Sequence, residues 1–515
     1  MTLPVDANAL AIASALCAVG VTALLLRRFA TSSTLPYPPG PPAHGLVGNL
    51  KDVATELEWE AFAEWGRKYG PISHFRILTK HFIILNTLEA AVELLDKRSA
   101  IYSNRPAFTM MGDLMGWQWN TALMNGDRWR AHRRILHHYL HEAKEYRHVH
   151  ARAVVQMLQA FLHTPEDFYQ HVRRWAAAST LPISHGIDVT VDETGDHWIK
   201  LADEAIDTIA AAGLPGTWAV DWVPALKYLP EWIPGAGFQR KAKEWSKLAV
   251  QMRDATFDLV QSQIRSGMAP PSVAAELSQN GFAGEPVPEE VTRNVAGVVY
   301  LGGADTIVSL VQSFIYSMVL NQEEQHLAQA EIDRVVGQDR LPEYSDKESL
   351  PYVNAVILEV YRLYPSIPLG APHCPLEEDV YMGMHIPKGA TVIANSWGIL
   401  RNEEIYPEPN SFIPERFLKG GRLDPTVPDP RIPVFGWGRR VCVGRPVAEA
   451  SIWLAIASIL ACFSITLAKD EHGNDCLPKL QLRSGSITSP RPFPCRIAPR
   501  SPALKQLVLT ASDQL

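Results

Sequence analysis

Along most of this chain apolar residues return every three or four positions, the rhythm of helices packed against a core. The spacing predicts an amphipathic helix over 59–69 and another beginning at Leu88, with a short apolar strand over 81–86 between them. Helical periodicity resumes over 127–159, in a stretch crowded with His and Arg. Residues 218–232 are interrupted by Pro224 and Pro230, and Pro234 follows, so they read as a loop with short apolar turns. The longest unbroken pattern, 289–320, follows Pro286 and Pro288 and opens on Glu289 and Glu290, which suit the positive end of a helix dipole. A helix of that length far exceeds the average of ~11–12 residues and should cross the core. Further helices are predicted over 322–336, over 353–364 where Pro365 stops it, and over 446–462. Residues 366–440 are rich in Pro and Gly and carry short strands such as 390–394. No repeat, low-complexity tract or linker divides residues 43–515, so one large, mainly α domain with a small β portion is expected.

The N-terminus differs in kind. Ala7 to Leu26 is twenty residues without a formal charge, enough to span a hydrocarbon layer of ~30 Å. Arg27 and Arg28 follow at once, and no Lys or Arg precedes the segment. A cleavable signal peptide would place its positive charge first and have a shorter apolar run, whereas the positive-inside rule holds Arg27 and Arg28 in the cytosol. The expectation is a luminal N-terminus over 1–6 and a single transmembrane helix over 7–26. A basic, Pro-rich hinge over 27–42 and a cytosolic body over 43–515 follow. A cleaved signal and a buried core helix are the other readings of that segment.

Composition removes several functions. With 515 residues, 47% hydrophobic and 20% charged, the bulk of the chain has ample core material and no disorder signature. The formal net charge of −7 argues against a nucleic-acid partner, which needs a concentrated basic face. Six scattered cysteines do not make a disulfide scaffold. His137 and His141 have an i,i+4 spacing that can bind zinc, but no Glu lies between them as in a zinc-protease helix, and an ordinary surface helix is the bland reading.

One cysteine stands apart. In Phe435-Gly436-Trp437-Gly438-Arg439-Arg440-Val441-Cys442-Val443-Gly444, three glycines let backbone approach something large and flat, and Cys442 sits in a loop just before a helix. The helix dipole and the neighbouring Arg439 and Arg440 favour a thiolate there, able to ligate a soft metal or carry redox chemistry. A buried structural Cys in a Gly-rich turn is the alternative. A dinucleotide fingerprint fails because Val441 stands where Gly is needed. A zinc site fails because no second Cys or His lies at short spacing.

The motif Phe-x-x-Gly-x-Arg-x-Cys-x-Gly resembles the haem-binding signature of the cytochrome P-450 superfamily. Glu359-Val360-Tyr361-Arg362, an ordinary i,i+3 pair if taken alone, is similar to the family's Glu-x-x-Arg. Pro414-Glu415-Arg416-Phe417 follows in the family's order. The resemblance implies the cytochrome P-450 fold and a buried triad of Glu359, Arg362 and Arg416. It implies haem b with Cys442 as axial thiolate ligand, and Phe435 and Gly436 in the loop around it. Trp129, Arg133, His373 and Arg440 match positions that contact the haem propionates. Gly302-Gly303-Ala304-Asp305-Thr306, halfway along the long helix, resembles the oxygen-activation motif, with Asp305 and Thr306 as catalytic residues; a solvated or capped acid is the bland reading of Asp305. Met110, Met111, Trp117 and Trp119 fall where the family caps its pocket, as core or as substrate wall. The segments 84–89, 97–103 and 227–230 resemble fungal members that tailor secondary metabolites, such as tryptamine 4-hydroxylase-like and O-methylsterigmatocystin oxidoreductase-like enzymes.

The chemistry implied is a monooxygenase using O2 and electrons from NADPH. A thiolate ligand pushes electron density onto haem iron and favours O–O cleavage. Gly302-Gly303 and a Thr306 hydroxyl bonded one turn back would loosen the helix beside the iron. No flavin domain fits beside a haem fold of ~450 residues. Electrons should therefore come from a separate NADPH-cytochrome P-450 reductase, with cytochrome b5 as an accessory donor. Arg130, Arg133 and Arg134 offer a basic docking face or a solvated charge run. Leu301, Ile307, Ile367 and Leu369 point to a small apolar substrate, a terpenoid, indole or polyketide, with no Lys or Arg among them. The anchor places the enzyme at the endoplasmic reticulum membrane. A haem-thiolate isomerase or dehydratase and a non-catalytic haem-binding protein are the competing classes, disfavoured by the intact Asp305-Thr306 pair.

Overall fold

The expected strand over 81–86 and its partners form the first layer of the computed structural model, which describes residues 35–54, 56–189, 193–213, 217–483 and 485–514. The proposed anchor over 7–26 lies outside the described residues. β1 (Ile72–Ile77) runs antiparallel to β2 (Lys80–Leu85), with Ile72 opposite Leu85. β5 (Thr391–Ala394) joins β2 in parallel, with Phe82 opposite Thr391. Successive side chains of β2 face opposite sides, and both sides are apolar. Ile83 and Leu85 pack with Leu94, Ile399 and Trp437. Phe82 and Ile84 pack with Phe62, Phe75 and Ile393, beside helix α1 (Glu58–Tyr69). The hinge ends against this sheet, where Pro39 O accepts from His74 N–H at 3.0 Å. A hairpin of β3 (Asp379–Tyr381) and β4 (Met384–Ile386), a second of β6 (Leu418–Lys419) and β7 (Arg422–Leu423), and a sheet ordered β10–β8–β9 (Cys495–Pro499, Phe463–Lys469, Asp475–Cys476) complete the β portion.

Helices make up the rest. In chain order they are α2 (Gly126–Leu140), α3 (Arg147–His163), α4 (Phe168–His185), α5 (Glu193–Ala212), α6 (Gly237–Arg265), α7 (Val273–Asn280), α8 (Glu289–Ala304), α9 (Thr306–Leu320), α10 (Gln322–Val335), α11 (Pro351–Leu363), α12 (Arg445–Cys462) and α13 (Pro502–Thr510). One large apolar cluster joins residues of α3, α4, α5, α8, α9, α11 and α12. α9 is buried at every position from Ile307 to Val319, and α12 from Ser451 to Cys462. Buried on all sides, these stretches have no solvent face to spare. The 289–320 stretch and α12 are long and apolar enough to cross a membrane, yet 78% and 72% of their apolar windows are buried in the body. They are core helices.

Two expected elements are divided. The 127–159 pattern breaks into α2 and α3 around a tight turn at Ala143–Tyr146, where the Tyr146 hydroxyl donates back to Tyr139 O at 2.8 Å. Both helices touch α12, but α2 otherwise lies against α8 and α3 against α4. The 289–320 pattern breaks at Asp305 (φ −130°, ψ −28°) between α8 and α9. Gly303 has a packing reason at this point, because a Cβ there would lie 2.3 Å from Thr180 Cγ2 on α4. Residues 218–232 hold only short turns, as expected of a stretch so rich in proline. The periodic reading passes over α4, α5 and α6.

Candidate active site

Glycine conformation shapes the cysteine loop. The short helix Arg431–Phe435 stops at Gly436, whose φ of +85° favours glycine. Gly438 has φ +50° and lies so close to the distant helical segment Val92–Lys97 that a Cβ would meet Leu95 O at 2.5 Å. The chain then folds back, and Cys442 N–H donates to Phe435 O at 2.7 Å. Gly444 caps α12, and the Gly444 and Arg445 amides donate to the Cys442 sulfur. That sulfur is deep in the protein, yet its side chain is accessible, so it opens onto interior space.

The charge around the sulfur corrects one expectation. Arg439 points to solvent, and Arg440 turns away to bind Ser103 O, so neither prepares a thiolate. Burial pushes the Cys442 thiol up, and the two amides, Arg133 and Arg445 offset only part of that. A cation at the sulfur would have to complete the stabilisation.

The broken helix supplies an open wall. Tyr300, Leu301 and Ala304 are buried, whereas Gly302 between them is exposed, and a Cβ built on it would meet nothing within 4 Å. Thr306 donates its hydroxyl to Gly302 O at 2.7 Å, using the carbonyl freed by the interruption. The break is clamped from outside, with Ser366 Oγ donating to Thr306 O at 3.0 Å and Thr488 N–H to Ser366 O at 2.9 Å. Asp305 is buried, with Arg173 on α4 as its ion-pair partner, and burial pushes its carboxyl up.

A third group of side chains is defined by a missing partner. Arg133 Nη2 donates to Val441 O (2.6 Å), and Arg440 donates to Ser103 O (2.5 Å), Met124 O (2.9 Å) and Asn125 Oδ1 (3.2 Å). The Arg440 guanidinium lies 3.9 Å from the Trp129 ring centre, and Arg133 lies 5.9 Å from it. Arg105 donates to Ala122 O, Ala371 O and Pro372 O. Burial, then Arg440 and Arg133, push Arg105 down to about 9; burial and Arg133 push Arg440 down to about 10. Carbonyls, one amide and an aromatic face surround these three cations, and none of them forms an ion pair among the described residues. Arg440 Nη1 is buried and has no hydrogen-bond partner among the described residues. His373 donates Nδ1–H to Tyr102 O at 2.9 Å and, repelled by burial and both arginines, is held neutral. Buried unpaired charge is costly, so this cluster calls for an anion.

Trp129, Arg133, His373 and Arg440 therefore come together, while Phe435 and Gly436 frame the cysteine loop. Arg105 is the residue that the sequence reading missed. Its available signal was position: Arg105 and Asp113 are the only charges between Ile101 and Leu123.

Behind this site, Glu359 and Arg362 of α11 are fully buried, joined at 2.6 and 2.8 Å, and Arg416 reaches Glu359 at 3.2 Å. Arg362 also donates to Leu400 O, Pro409 O and Ser411 O, tying the loop before the cysteine segment to α11.

Other candidates resolve differently. Met110, Met111, Trp117 and Trp119 are all buried in the main core cluster. His137 and His141 stack at 5.2 Å on an exposed face, and no metal-holding cluster occurs among the described residues. Leu301 and Ile307 are buried, whereas Ile367 and Leu369 remain partly accessible.

An accessible deep cysteine, a helix opened by glycine and an anion-seeking trio of arginines fit one group: a flat, dianionic metal macrocycle. They define a haem-thiolate protein. The chain belongs to the cytochrome P-450 family, whose profile matches residues 38–493. A cytochrome P-450 monooxygenase of Armillaria gallica is 40% identical over 509 residues, covering 96% of this chain and 99% of the relative. A cytochrome P-450 monooxygenase of Coprinopsis cinerea is 38% identical over 513 residues, covering 98% and 96%. The tryptamine 4-monooxygenase of Psilocybe cyanescens is 40% identical over 474 residues, covering 90% and 93%. The chain is a cytochrome P-450 monooxygenase, an oxygen-incorporating oxidoreductase of fungal type whose family cofactor is haem with a cysteine thiolate.

Proposed function

We propose that this enzyme inserts one atom of O2 into a small, largely apolar substrate of fungal secondary metabolism, a terpenoid, indole or polyketide intermediate. The arginine trio beside the accessible Cys442 carries the proposal, because nothing else in the described protein balances those charges. When bound, thiolate-ligated haem supplies the activation of dioxygen. Cys442 Sγ ligates the iron, and the Gly444 and Arg445 amides steady the sulfur. Arg105, Arg133 and Arg440 pair the propionates, Trp129 supports two of those guanidiniums, and neutral His373 adds a positioning contact. Thr306 holds a proton donor at Oγ1 beside the Gly302 opening, and Asp305 links that hydroxyl to solvent. Partly accessible Ile367 and Leu369 give the substrate an apolar wall, and a relative named tryptamine 4-monooxygenase supports the indole class.

Electrons come from NADPH through a separate reductase, with cytochrome b5 as accessory donor. Arg130 and Arg134 remain on the surface for docking, while Arg133 turns inward to the propionate cluster. Residues 7–26 anchor the enzyme in the endoplasmic reticulum membrane, and residues 27–42 form the hinge to a cytosolic body.

The test is spectroscopic. Reduced, carbon monoxide-treated protein should show the red-shifted Soret band of a thiolate ligand, and Cys442→Ser should lose it. An unchanged band in the variant would move the ligand elsewhere.

A further inference from the structure

Asp305 has one oxygen to spare. Its Oδ1 is buried, accepts no hydrogen bond from the described residues, and lies 3.6 Å from Arg173 Nη2, beyond hydrogen-bond reach. Arg173 is held instead through Nη1 by Asp203 of α5. Asp305 also lines a cavity of about 220 Å³ whose other walls include Ile206, Asp207, Ala211, Arg483 and Ile487. At ~30 Å³ per water this space holds several molecules with polar partners on two sides. Its outer rim is an exposed ion pair, Arg483 Nη2 to Asp207 Oδ1 at 2.5 Å.

We propose that Arg173 is a positioning residue: shared between Asp203 and Asp305, it holds the Asp305 carboxylate at the inner end of a water-filled inlet that opens at the Asp207–Arg483 pair. This rests on reading Asp305 as the link between Thr306 and solvent, and adds which groups aim it and where water reaches it.

The charge count supports the arrangement. Three carboxylates (Asp203, Asp207, Asp305) face two guanidiniums (Arg173, Arg483), so one carboxylate is always short of a partner. Burial pushes both Asp203 and Asp305 up, Asp203 to about 6, with Asp305 and Asp207 adding repulsion against the relief from Arg173 and Arg483. Tyr300 of α8 also faces Asp203, but its hydroxyl is committed to Trp198 O at 2.7 Å. Tyr169 lies against Arg173 and Arg483 with its hydroxyl on Pro490 O. Neither tyrosine competes for Asp305. Because Asp203 and Asp305 draw on the same guanidinium, removing one of them must strengthen its hold on the other.

The experiment uses full-length, haem-loaded protein with reductase and NADPH. The carboxylic-acid C=O band of Asp305 is assigned in pH-difference infrared spectra by its loss in Asp305→Asn. Arg173→Met should raise the midpoint of that band by about one pH unit or more, since an opposite charge nearby is worth ~1–3 units. Arg173→Lys should restore most of the shift, and Asp203→Asn should move the midpoint the other way. A wild-type midpoint in Asp203→Asn, a mild change, together with no rise in Arg173→Met, overturns the role of Arg173. Asp207→Asn with Arg483→Gln should raise the solvent deuterium isotope effect on NADPH oxidation about twofold, and an unchanged ratio removes the inlet from this face. An isotope effect unaltered in Asp305→Asn overturns the role of Asp305 itself, whatever the infrared midpoints do.

Discussion

Replacing Glu359 by Gln removes one negative charge from a place with no water to replace it. The carboxylate accepts from Arg362 Nε (2.6 Å) and Nη2 (2.8 Å), Arg416 Nε (3.2 Å) and Ile413 N–H (2.8 Å). Glu359→Gln keeps the shape but turns one acceptor oxygen into a donor aimed at an arginine or an amide. It also leaves the fully buried Arg362 without a counter-charge. Breaking a buried pair from one side costs about 3–5 kcal/mol, a large share of the ~5–15 kcal/mol by which domains are stable. For most buried pairs, replacing both partners by apolar residues recovers that loss. Here it should not. Arg362 also satisfies Leu400 O, Pro409 O and Ser411 O, and each orphaned carbonyl costs ~1–3 kcal/mol. The double variant Glu359→Leu/Arg362→Met should therefore stay at least about 3 kcal/mol below wild type. Urea unfolding followed by tryptophan fluorescence and by Soret absorbance gives both values. A double variant with the wild-type midpoint would refute the reasoning, because Arg362 would then be half of an ion pair and not a brace for the loop.

Three further outcomes are expected. Arg105→Gln removes one of the three crowded cations, so haem transfer to apomyoglobin should run about 10-fold faster or more, a charge-assisted bond being worth ~1.5–3 kcal/mol. His150 and His185 are buried and neutral, each pushed down to about 3 by burial. Their contribution is fully present above the unfolded value of 6.5 and is lost as pH falls from there toward 3; at pH 5 each costs about 2 kcal/mol. Thermal melts at pH 7 and 5 should show this loss, and His185→Phe should remove about half of what the two histidines contribute to the difference. Gly438→Ala should lower the melting temperature and haem content together, because φ +50° and the Leu95 carbonyl at 2.5 Å both oppose a Cβ; equal melting would mean that the loop relaxes freely.

What could be read from the chain were features whose cause is local. β2 announces itself because both of its faces are buried, which leaves an unbroken apolar run. The 289–320 stretch announces itself through its length and acidic start, and even its break is foreshadowed by Gly302, Gly303 and Thr306. The division of 127–159 was not legible, since the hydrophobic rhythm survives the turn at Ala143–Tyr146 almost in phase. α6 was passed over because it is largely polar: only scattered positions such as Ala242, Ala249, Met252 and Phe257 are buried along 29 residues.

The candidate site divides along the same line. The cysteine loop and the Glu359–Arg362 pair are short motifs, visible wherever they occur. The electrostatics around them are assembled across the whole fold. Arg440 reaches back to Ser103 and Arg105 forward to Ala371 and Pro372, so neighbours in space are hundreds of positions apart in sequence. Counting charges near Cys442 along the chain therefore credits Arg439 and Arg440 with a role that falls to Arg133 and Arg445 in three dimensions. Desolvation has no sequence signature either, and it reverses the expectation for the free thiol. The same burial that makes the thiol reluctant to ionise makes the arginine trio reluctant to stay unpaired. Each is relieved by opposite charge, a metal cation at the sulfur and carboxylates at the guanidiniums. One rigid cofactor carrying both would satisfy two separated electrostatic deficits at once, so its binding should report on both ends together: Arg105→Gln should weaken haem retention without touching the sulfur, and Cys442→Ser without touching the arginines.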